Sequence, residues 1–236
     1  MKEGLPYSQG LTDKRPVIFF DMDGVLTSEK SSWNYVNRNL GIDNTRNFEN
    51  FRKGSISYEQ FLSLDLALWI QSGRARSSDT VMQLLNRIEL FPGAEEGCRS
   101  LIAAGFRLVI VSGGINWLAQ RVGEIVGASE IYANIIYARD GMIQPEGRAV
   151  VDPKRKGVII QSYISRKQPE FTISVGDSPD DESMFENTDY SISFNNDPDY
   201  ENMHGFNMRS ENFNDLAEFI ISIKEERDEI KRNKGR

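Results

Sequence analysis

The sequence of 236 residues has one cysteine and no excess of positive charge. Because Cys98 alone cannot form a disulfide within the chain, nothing indicates an oxidising compartment. The formal net charge of −7 argues against general binding to nucleic acid or anionic membrane. No apolar run is long enough to span a bilayer, and the start, MKEGLPYSQGLTDKRP, lacks a signal-like apolar stretch. We therefore expect a cytoplasmic protein with a loose leader that binds neither nucleic acid nor membrane.

Four short apolar runs predict the strands of a sheet. They are Val17–Phe20, Leu108–Val111, Phe171–Val175 and Tyr190–Phe194, each bounded by turn or loop residues. Between the later runs, apolar residues recur three and four positions apart, which is typical of helices. Strands that alternate with helices predict crossover connections and an α/β fold with a doubly wound, mostly parallel sheet. Ligands bind such sheets at the carboxyl ends of the strands.

The segment from Glu29 to Leu90 interrupts this alternation, because it contains helical patterns and no clear strand. An insertion that leaves the end of the first strand and returns before the next helix should lie above that edge of the sheet. We therefore predict an α/β core domain of residues 1–28 and 91–236, and a helical cap domain of residues 29–90. A small β-excursion is expected at Ile131–Val151, with Asp140 and Gly141 as its turn.

Acidic residues follow the first and third predicted strands. Asp21 and Asp23 can share a face, because alternate side chains of an extended segment point the same way. Carboxylates this close repel each other unless one is protonated or a cation lies between them, and Mg²⁺ prefers oxygen ligands. Asp177 follows the third strand and Asp181 lies one turn beyond, a spacing that suits one metal ligand and one residue that orients it. A helix N-cap, for which Asp180 is a candidate, explains one such aspartate more easily than three.

The second predicted strand ends in Ser112 and Gly113, where it gives way to a helix. The exposed N–H groups and the hydroxyl of such a junction can hold an anion. Positive charge can come from Lys154 or Lys156, which precede another helix. Each of these two signals is weak alone, because an ordinary strand-to-helix turn looks the same and most lysine runs are solvated surface.

Together, the segments FFDMDGVLT, VIVSGG, KRKG and SVGDSPDDESMF resemble the four motifs of the haloacid dehalogenase (HAD) superfamily in order and context. The resemblance covers nearly all of residues 17–220 and is greatest for the phosphoserine phosphatase-like branch, which has a helical cap between the first two motifs. It implies a Rossmann-like core and a Mg²⁺-dependent phosphatase. Such an enzyme hydrolyses a small-molecule phosphomonoester through an aspartyl-phosphate.

The resemblance also implies roles for individual residues. Asp21 is the nucleophile and Asp23 the general acid and base, assisted by Lys156. The implied phosphate-binding residues are Ser112, the Gly113 amide and Lys156, which precedes a glycine at the start of a helix; Lys154 is the alternative lysine. The implied metal ligands are Asp21, the Asp23 carbonyl and Asp177, with Asp181 in support. Asp180 stands where relatives often carry asparagine.

The resemblance is less complete in the cap. Phosphoserine phosphatases hold the two charges of the amino acid with a cap glutamate and a cap arginine. Glu29 can serve as the glutamate, with Lys30 competing for that place by spacing. Asp65 occupies the expected arginine position, and Arg74 and Arg76 are alternative cations. This departure favours a broader small-metabolite phosphatase. An acidic Asp65 in the pocket would favour a cationic leaving group such as an amino alcohol, whereas the simpler alternative is that Asp65 faces solvent.

Two other functions remain open on this scaffold. A phosphotransferase or phosphomutase would form the same aspartyl-phosphate and pass the phosphoryl group to an alcohol or a sugar in place of water. A non-enzymatic binding protein would be expected to have lost the nucleophile or the acid. The sequence retains both Asp21 and Asp23, which favours an enzyme.

Overall fold

The computed structural model describes residues 14–196 and 200–234, so residues 1–13 of the predicted leader lie outside the described part. The strands are β1 (Val17–Phe20), β2 (Arg107–Ile115), β3 (Glu130–Arg139), β4 (Met142–Arg148), β5 (Thr172–Gly176), β6 (Tyr190–Phe194) and β7 (Phe206–Met208). The helices are α1 (Ser32–Leu40), α2 (Thr45–Arg52), α3 (Tyr58–Gln71), α4 (Ser78–Leu85), α5 (Ala94–Ala103), α6 (Asn116–Val126), α7 (Lys156–Lys167), α8 (Glu182–Phe185) and α9 (Phe213–Lys234). None of the helices in these ranges has the length and apolar character needed to cross a bilayer.

The described strands form one sheet in the order β4-β3-β2-β1-β5-β6-β7. Strand β1 is central and pairs in parallel with β2 and β5. Ile18 and Phe20 face a core shared with α5, α6 and α9, whereas Val17 and Phe19 face a second core with Tyr163 of α7. This alternation follows from the two-residue period of a strand. The predicted doubly wound α/β fold is confirmed, and β1 and β6 have the predicted bounds.

The predicted β-excursion is an antiparallel hairpin of β3 and β4 at one edge of the sheet. Asp140 and Gly141 form its turn and both have positive φ, 51° and 75°. Two consecutive residues with positive φ give the type of turn whose twist matches that of a hairpin. The excursion and its turn are therefore confirmed.

The segment between β1 and α5 is helical, as predicted, and it contains α1 to α4. Its two ends lie side by side, because Ser28 N–H donates to the Glu89 carbonyl at 3.1 Å and Phe91 N–H to the Leu26 carbonyl at 2.9 Å. The insertion therefore leaves and re-enters the core at one place. Its treatment as a separate cap domain, with boundaries at 28 and 91, stays a prediction.

Candidate active site

The carboxyl ends of the neighbouring strands β1, β2 and β5 lie at the same end of the sheet, where they bring together the predicted site residues. The register pairs Phe20 with both Ile110 and Val175, so the residues that follow these positions are neighbours. Asp21, Asp23, Ser112, Gly113, Lys156 and Asp177 all line one cleft of about 270 Å³. The helical insertion supplies most of the remaining lining, together with Gly114, Pro153, Ser178 and Asp180.

Three buried carboxylates form a compact acidic cluster beside a buried lysine. Asp21, Asp177 and Asp181 each offer a carboxylate oxygen, and these oxygens lie within 4.8 Å of one another. The Lys156 Nζ atom lies 2.7 Å from Asp21 Oδ2 and 2.6 Å from Asp181 Oδ1. Burial acts to lower the pKa of Lys156, but the two carboxylates outweigh it and raise that pKa. Lys156 is therefore a permanent cation in the site, whereas Lys154 is exposed two residues away.

Asp181 orients the loop that carries Asp177. Its Oδ2 atom accepts hydrogen bonds from the backbone N–H groups of Asp177 at 2.9 Å and Ser178 at 3.1 Å. Its other oxygen contacts Lys156, so both oxygens have partners. A Cβ atom on Gly176 would lie 2.3 Å from the Asp181 carboxyl carbon, which explains the glycine there. Asp181 thus fixes the position of Asp177 from behind the cleft.

The acidic cluster has the donors that a hard divalent cation requires. Burial, followed by the neighbouring Asp181 and Asp21, raises the pKa of Asp177 to about 8, and Lys30 opposes this shift. Burial likewise raises the pKa of Asp21, against the effect of Lys156. Ionised carboxylates are thus costly at this edge of the sheet, and a divalent cation bound by their oxygens would offset that cost. The residues present fit Mg²⁺.

Asp23 is held by the first residue of α1. Its Oδ2 atom accepts hydrogen bonds from the Ser32 backbone N–H and from the Ser32 hydroxyl, both at 2.8 Å. Its Oδ1 atom is buried and makes no hydrogen bond within the described residues. Burial raises the pKa of Asp23 to about 7. This carboxyl group can therefore both hold and release a proton near neutral pH.

The end of β2 is fixed by donors from distant parts of the chain. The Gly113 carbonyl accepts hydrogen bonds from Trp33 Nε1 at 3.1 Å, the Tyr58 hydroxyl at 3.2 Å and Asn134 Nδ2 at 2.8 Å. Ser112 Oγ accepts from Gly114 N–H at 3.1 Å. No such role for Trp33, Tyr58 or Asn134 is predicted from the sequence, because these residues are far apart in the chain and follow no common pattern.

Glycines allow these segments to approach one another closely. Gly24 has a φ of 79°, and a Cβ atom there would lie 2.3 Å from Asp177 Oδ2. A Cβ atom on Gly114 would lie 2.7 Å from Met22 Cε and 2.8 Å from Asp23 Oδ2. All three distances are shorter than real Cβ contacts. The glycine of the first motif and the last glycine of the second are thus required by packing at the site.

Glu29, the first of the tentative cap residues, pairs with Arg38 at 3.2 Å and lies outside the residues that line the cleft. Lys30, its competitor for that place, does line the cleft. The Lys30 Nζ atom contacts Asp177 Oδ2 and donates to the Asn195 carbonyl at 2.9 Å. Lys30 therefore brings a positive charge from the insertion to the acidic cluster.

Asp65 lies in the interior of the insertion. It is 1% exposed, so the alternative in which it faces solvent is wrong. Its Oδ2 atom accepts a hydrogen bond from Asn44 Nδ2 at 2.6 Å, and its Oδ1 atom accepts from Asn47 Nδ2 at 2.9 Å. Among the described residues, Asn44 lines the cleft and Asp65 does not. Asp65 therefore supports the cleft wall from behind.

Residues 16–189 match the family model of haloacid dehalogenase-like hydrolases. A phosphoserine phosphatase from Archaeoglobus fulgidus is 29% identical over 197 residues, covering 80% of this chain and 55% of that protein. A phosphoserine phosphatase from Methanocaldococcus jannaschii is 27% identical over 187 residues, covering 77% and 86%. The chain therefore spans about half the length of the first relative and most of the second.

Solved structures have the same fold. One described as a phospho-aspartyl intermediate analogue of phosphoserine phosphatase matches with a TM-score of 0.71 and 22% identity, covering 88% of this chain and 99% of that chain. A HAD family hydrolase from Salmonella enterica serovar Typhi matches with a TM-score of 0.68 and 20% identity, covering 81% and 66%. The family model matches most of this chain, which therefore belongs to the haloacid dehalogenase-like hydrolase family.

Proposed function

We propose that this chain is a Mg²⁺-dependent phosphatase that hydrolyses a small-molecule phosphomonoester through an aspartyl-phosphate. The observation that carries the proposal is the contrast between the two aspartates that follow β1. Asp21 is paired with the permanent cation Lys156, whereas Asp23 has a pKa raised by burial to about 7 and one oxygen without a hydrogen bond in the described residues. One carboxyl group is suited to attack and the other to proton transfer. The similarity to proteins named phosphoserine phosphatase supports this reaction class.

Asp21 supplies the nucleophilic oxygen. Its Oδ2 atom contacts Lys156 and its Oδ1 atom accepts a hydrogen bond from Met22 N–H at 2.6 Å, so the carboxylate is fixed in orientation. Attack on phosphorus forms a bond from a carboxylate oxygen to phosphorus and breaks the ester bond to the alcohol. The resulting aspartyl-phosphate divides one difficult hydrolysis into two easier steps.

Asp23 moves the proton in both steps. In its neutral form it donates a proton to the departing alkoxide, so the leaving group departs as an alcohol. The carboxylate then accepts a proton from the water that attacks the aspartyl-phosphate, which returns Asp23 to its starting state and releases inorganic phosphate. Because a general acid and base works best when its pKa lies near the working pH, the raised pKa suits both roles.

The remaining site residues bind the phosphoryl group and the ion. Lys156, Ser112 and the Gly113 amide would stabilise the phosphoryl oxygens as charge develops on them. Mg²⁺ would be held by Asp21, the Asp23 carbonyl and Asp177, with Asp181 in support. When bound, the ion offsets the repulsion between the nucleophilic carboxylate and the anionic phosphate. The helical segment of residues 29–90 would act as a cap domain that encloses the leaving group.

A panel of phosphomonoesters assayed for phosphate release, with Mg²⁺ and with EDTA, tests this function. We expect turnover that requires Mg²⁺ and is abolished in Asp21→Asn. The matched control Asp79→Asn changes an exposed aspartate of α4 away from the cleft, and we expect it to retain wild-type turnover. Full activity of Asp21→Asn would overturn the assignment. Label transferred from the ester to an added alcohol in preference to water would identify a phosphotransferase instead.

A further inference from the structure

The helical insertion gives the cleft an aromatic wall, formed by Phe48, Phe51, Tyr58 and Phe61. The rings of Phe51 and Phe61 are stacked, with centroids 5.4 Å apart. Tyr58 contacts Phe51 at 5.3 Å, and Phe48 contacts Phe61 at 6.3 Å. The four rings therefore form a continuous surface from α2 to α3.

The sequence builds this wall from two helical turns. Phe48 and Phe51 are three residues apart on α2, and Tyr58 and Phe61 are three residues apart on α3, so each pair shares one helix face. Helix α2 buries none of its residues, and Phe48 is 46% exposed. Apolar ring surface is thus left uncovered beside the cleft, where burying it against a ligand would be favourable.

The wall lies directly beside the predicted phosphate-binding loop. The hydroxyl of Tyr58 is 3.2 Å from the Gly113 carbonyl, and both residues line the same cleft. A phosphate bound at Asp21 would therefore direct its ester group toward the rings. The chemistry of the aromatic wall then determines which leaving groups the cleft can bind.

The same wall offers no counter-charge to an ammonium group. Among the described residues, Lys30 is the single charged side chain that the insertion contributes to the cleft lining, and it contacts Asp177. Asp65 lies behind the wall and binds Asn44. Asp180, on the core side, lies in the field of Lys156 and Lys154. An ammonium group would gain a cation–π contact on these rings, but two cations already occupy such positions. Arg52 Cζ lies 5.9 Å from the Phe48 ring centroid and Lys154 Nζ lies 5.0 Å from the Phe51 ring centroid. A further positive charge there would be repelled by both and has no carboxylate of the wall as a partner.

We propose that the substrate is the phosphomonoester of an uncharged aromatic alcohol, whose ring packs on the aromatic wall while its phosphate binds beside Asp21. The inference rests on the proposed phosphatase function and names the substrate class for that site. Hydrolysis breaks the phosphorus–oxygen bond as before and releases the aromatic alcohol and inorganic phosphate. The amino acid ester that the relatives' names suggest is then a poor substrate for this chain.

Four esters whose phosphate oxygen is bonded to a saturated carbon test the proposal, because their alkoxide leaving groups are similar and rate differences report binding. They are benzyl phosphate, glycerol 2-phosphate, O-phospho-L-serine and phosphoethanolamine, assayed with saturating Mg²⁺. We expect kcat/KM for benzyl phosphate to exceed each of the others about tenfold or more, since the aromatic contact adds to the burial of the ring. A higher kcat/KM for any of the other three would overturn the proposal.

A pair of matched variants locates the effect. Phe48→Ala should lower kcat/KM for benzyl phosphate about tenfold, mainly through KM, and leave that for glycerol 2-phosphate within about twofold. The control Phe206→Ala removes a ring of similar exposure, 42%, on β7 and outside the cleft; it should change neither. Equal losses on both substrates in Phe48→Ala would show that the ring is only structural.

Calorimetry separates this inference from the proposed function. Binding of benzyl phosphate and of O-phospho-L-serine to the Mg²⁺-loaded Asp21→Asn variant measures the preference without turnover. Hydrolysis of the phosphoserine ester together with its tighter binding would overturn the substrate class and leave the phosphatase function intact. Absence of hydrolysis of every ester would overturn the function, and benzyl phosphate that fails to bind would overturn the aromatic site.

Discussion

Replacing Lys156 by methionine removes the ammonium group from the site and keeps most of the aliphatic stem. The side chain is 2% exposed, and its Nζ atom contacts two carboxylates at 2.7 and 2.6 Å. Breaking a buried ion pair by removing one partner costs about 3–5 kcal/mol, because the charge left behind has no compensation. Here Asp21 and Asp181 would both be left without their cation. We therefore expect the free energy of unfolding of the metal-free protein to fall by at least about 3 kcal/mol.

Urea denaturation at pH 7 in EDTA, followed by tryptophan fluorescence, measures this loss. The control Lys154→Met removes an exposed ammonium whose Nζ atom lies 5.0 Å from the centroid of the Phe51 ring, and it should cost no more than about 1 kcal/mol. Mg²⁺ at one hundred times its dissociation constant should add about 2.7 kcal/mol to any variant that binds it. If Lys156→Met in EDTA is as stable as the control, the buried ammonium does not hold the carboxylates and the reasoning is refuted.

Two further substitutions and one labelling reaction test the packing of the protein. Asn134→Leu removes one of the three donors to the Gly113 carbonyl, at 2.8 Å, and the acceptor of two backbone N–H groups, one buried and one partly buried. We expect a loss of about 3 kcal/mol in thermal unfolding, and an unchanged melting temperature would contradict this. Gly114→Ala adds a Cβ atom 2.7 Å from Met22 Cε; it should cost about 1–3 kcal/mol by urea denaturation, and wild-type stability would count against the close approach. Cys98 is buried, and burial raises the pKa of its thiol to about 12; Ellman's reagent should label it in the unfolded protein only, and rapid labelling of the folded protein would show that the thiol is accessible.

The parts of the fold that bury apolar surface were predictable from the sequence. Strand β1 has the predicted bounds because a central parallel strand is covered on both faces and so is apolar throughout. Helix α2 was not predicted, because its sequence TRNFENFR buries no residue and therefore carries no core-facing stripe. Strand β7 was also missed, since Phe206–Met208 is a three-residue edge strand whose residues are exposed or half-buried.

The site was predictable only where strand topology determines it. Asp21, Asp23 and Asp177 follow strands that a parallel sheet aligns, so their convergence on one cleft could be expected from the order of elements. The donors to the Gly113 carbonyl are 80, 55 and 21 residues away in sequence. Such contacts depend on how the insertion packs, which no local period encodes. For the same reason, the burial of Asp65 behind Asn44 could not be read from its place on α3.

The start of α1 determines which oxygen of Asp23 can carry a proton. The Ser32 hydroxyl accepts a hydrogen bond from Ile115 N–H at 3.2 Å, so its own hydrogen is directed to Asp23 Oδ2. With the Ser32 N–H donating to the same oxygen, a proton on Oδ2 would displace a donor. In the proposed mechanism the proton therefore resides on Oδ1, the buried oxygen without a hydrogen bond in the described residues. The next residue, Trp33, donates to the Gly113 carbonyl, so two consecutive residues of the insertion connect Asp23 to the end of β2.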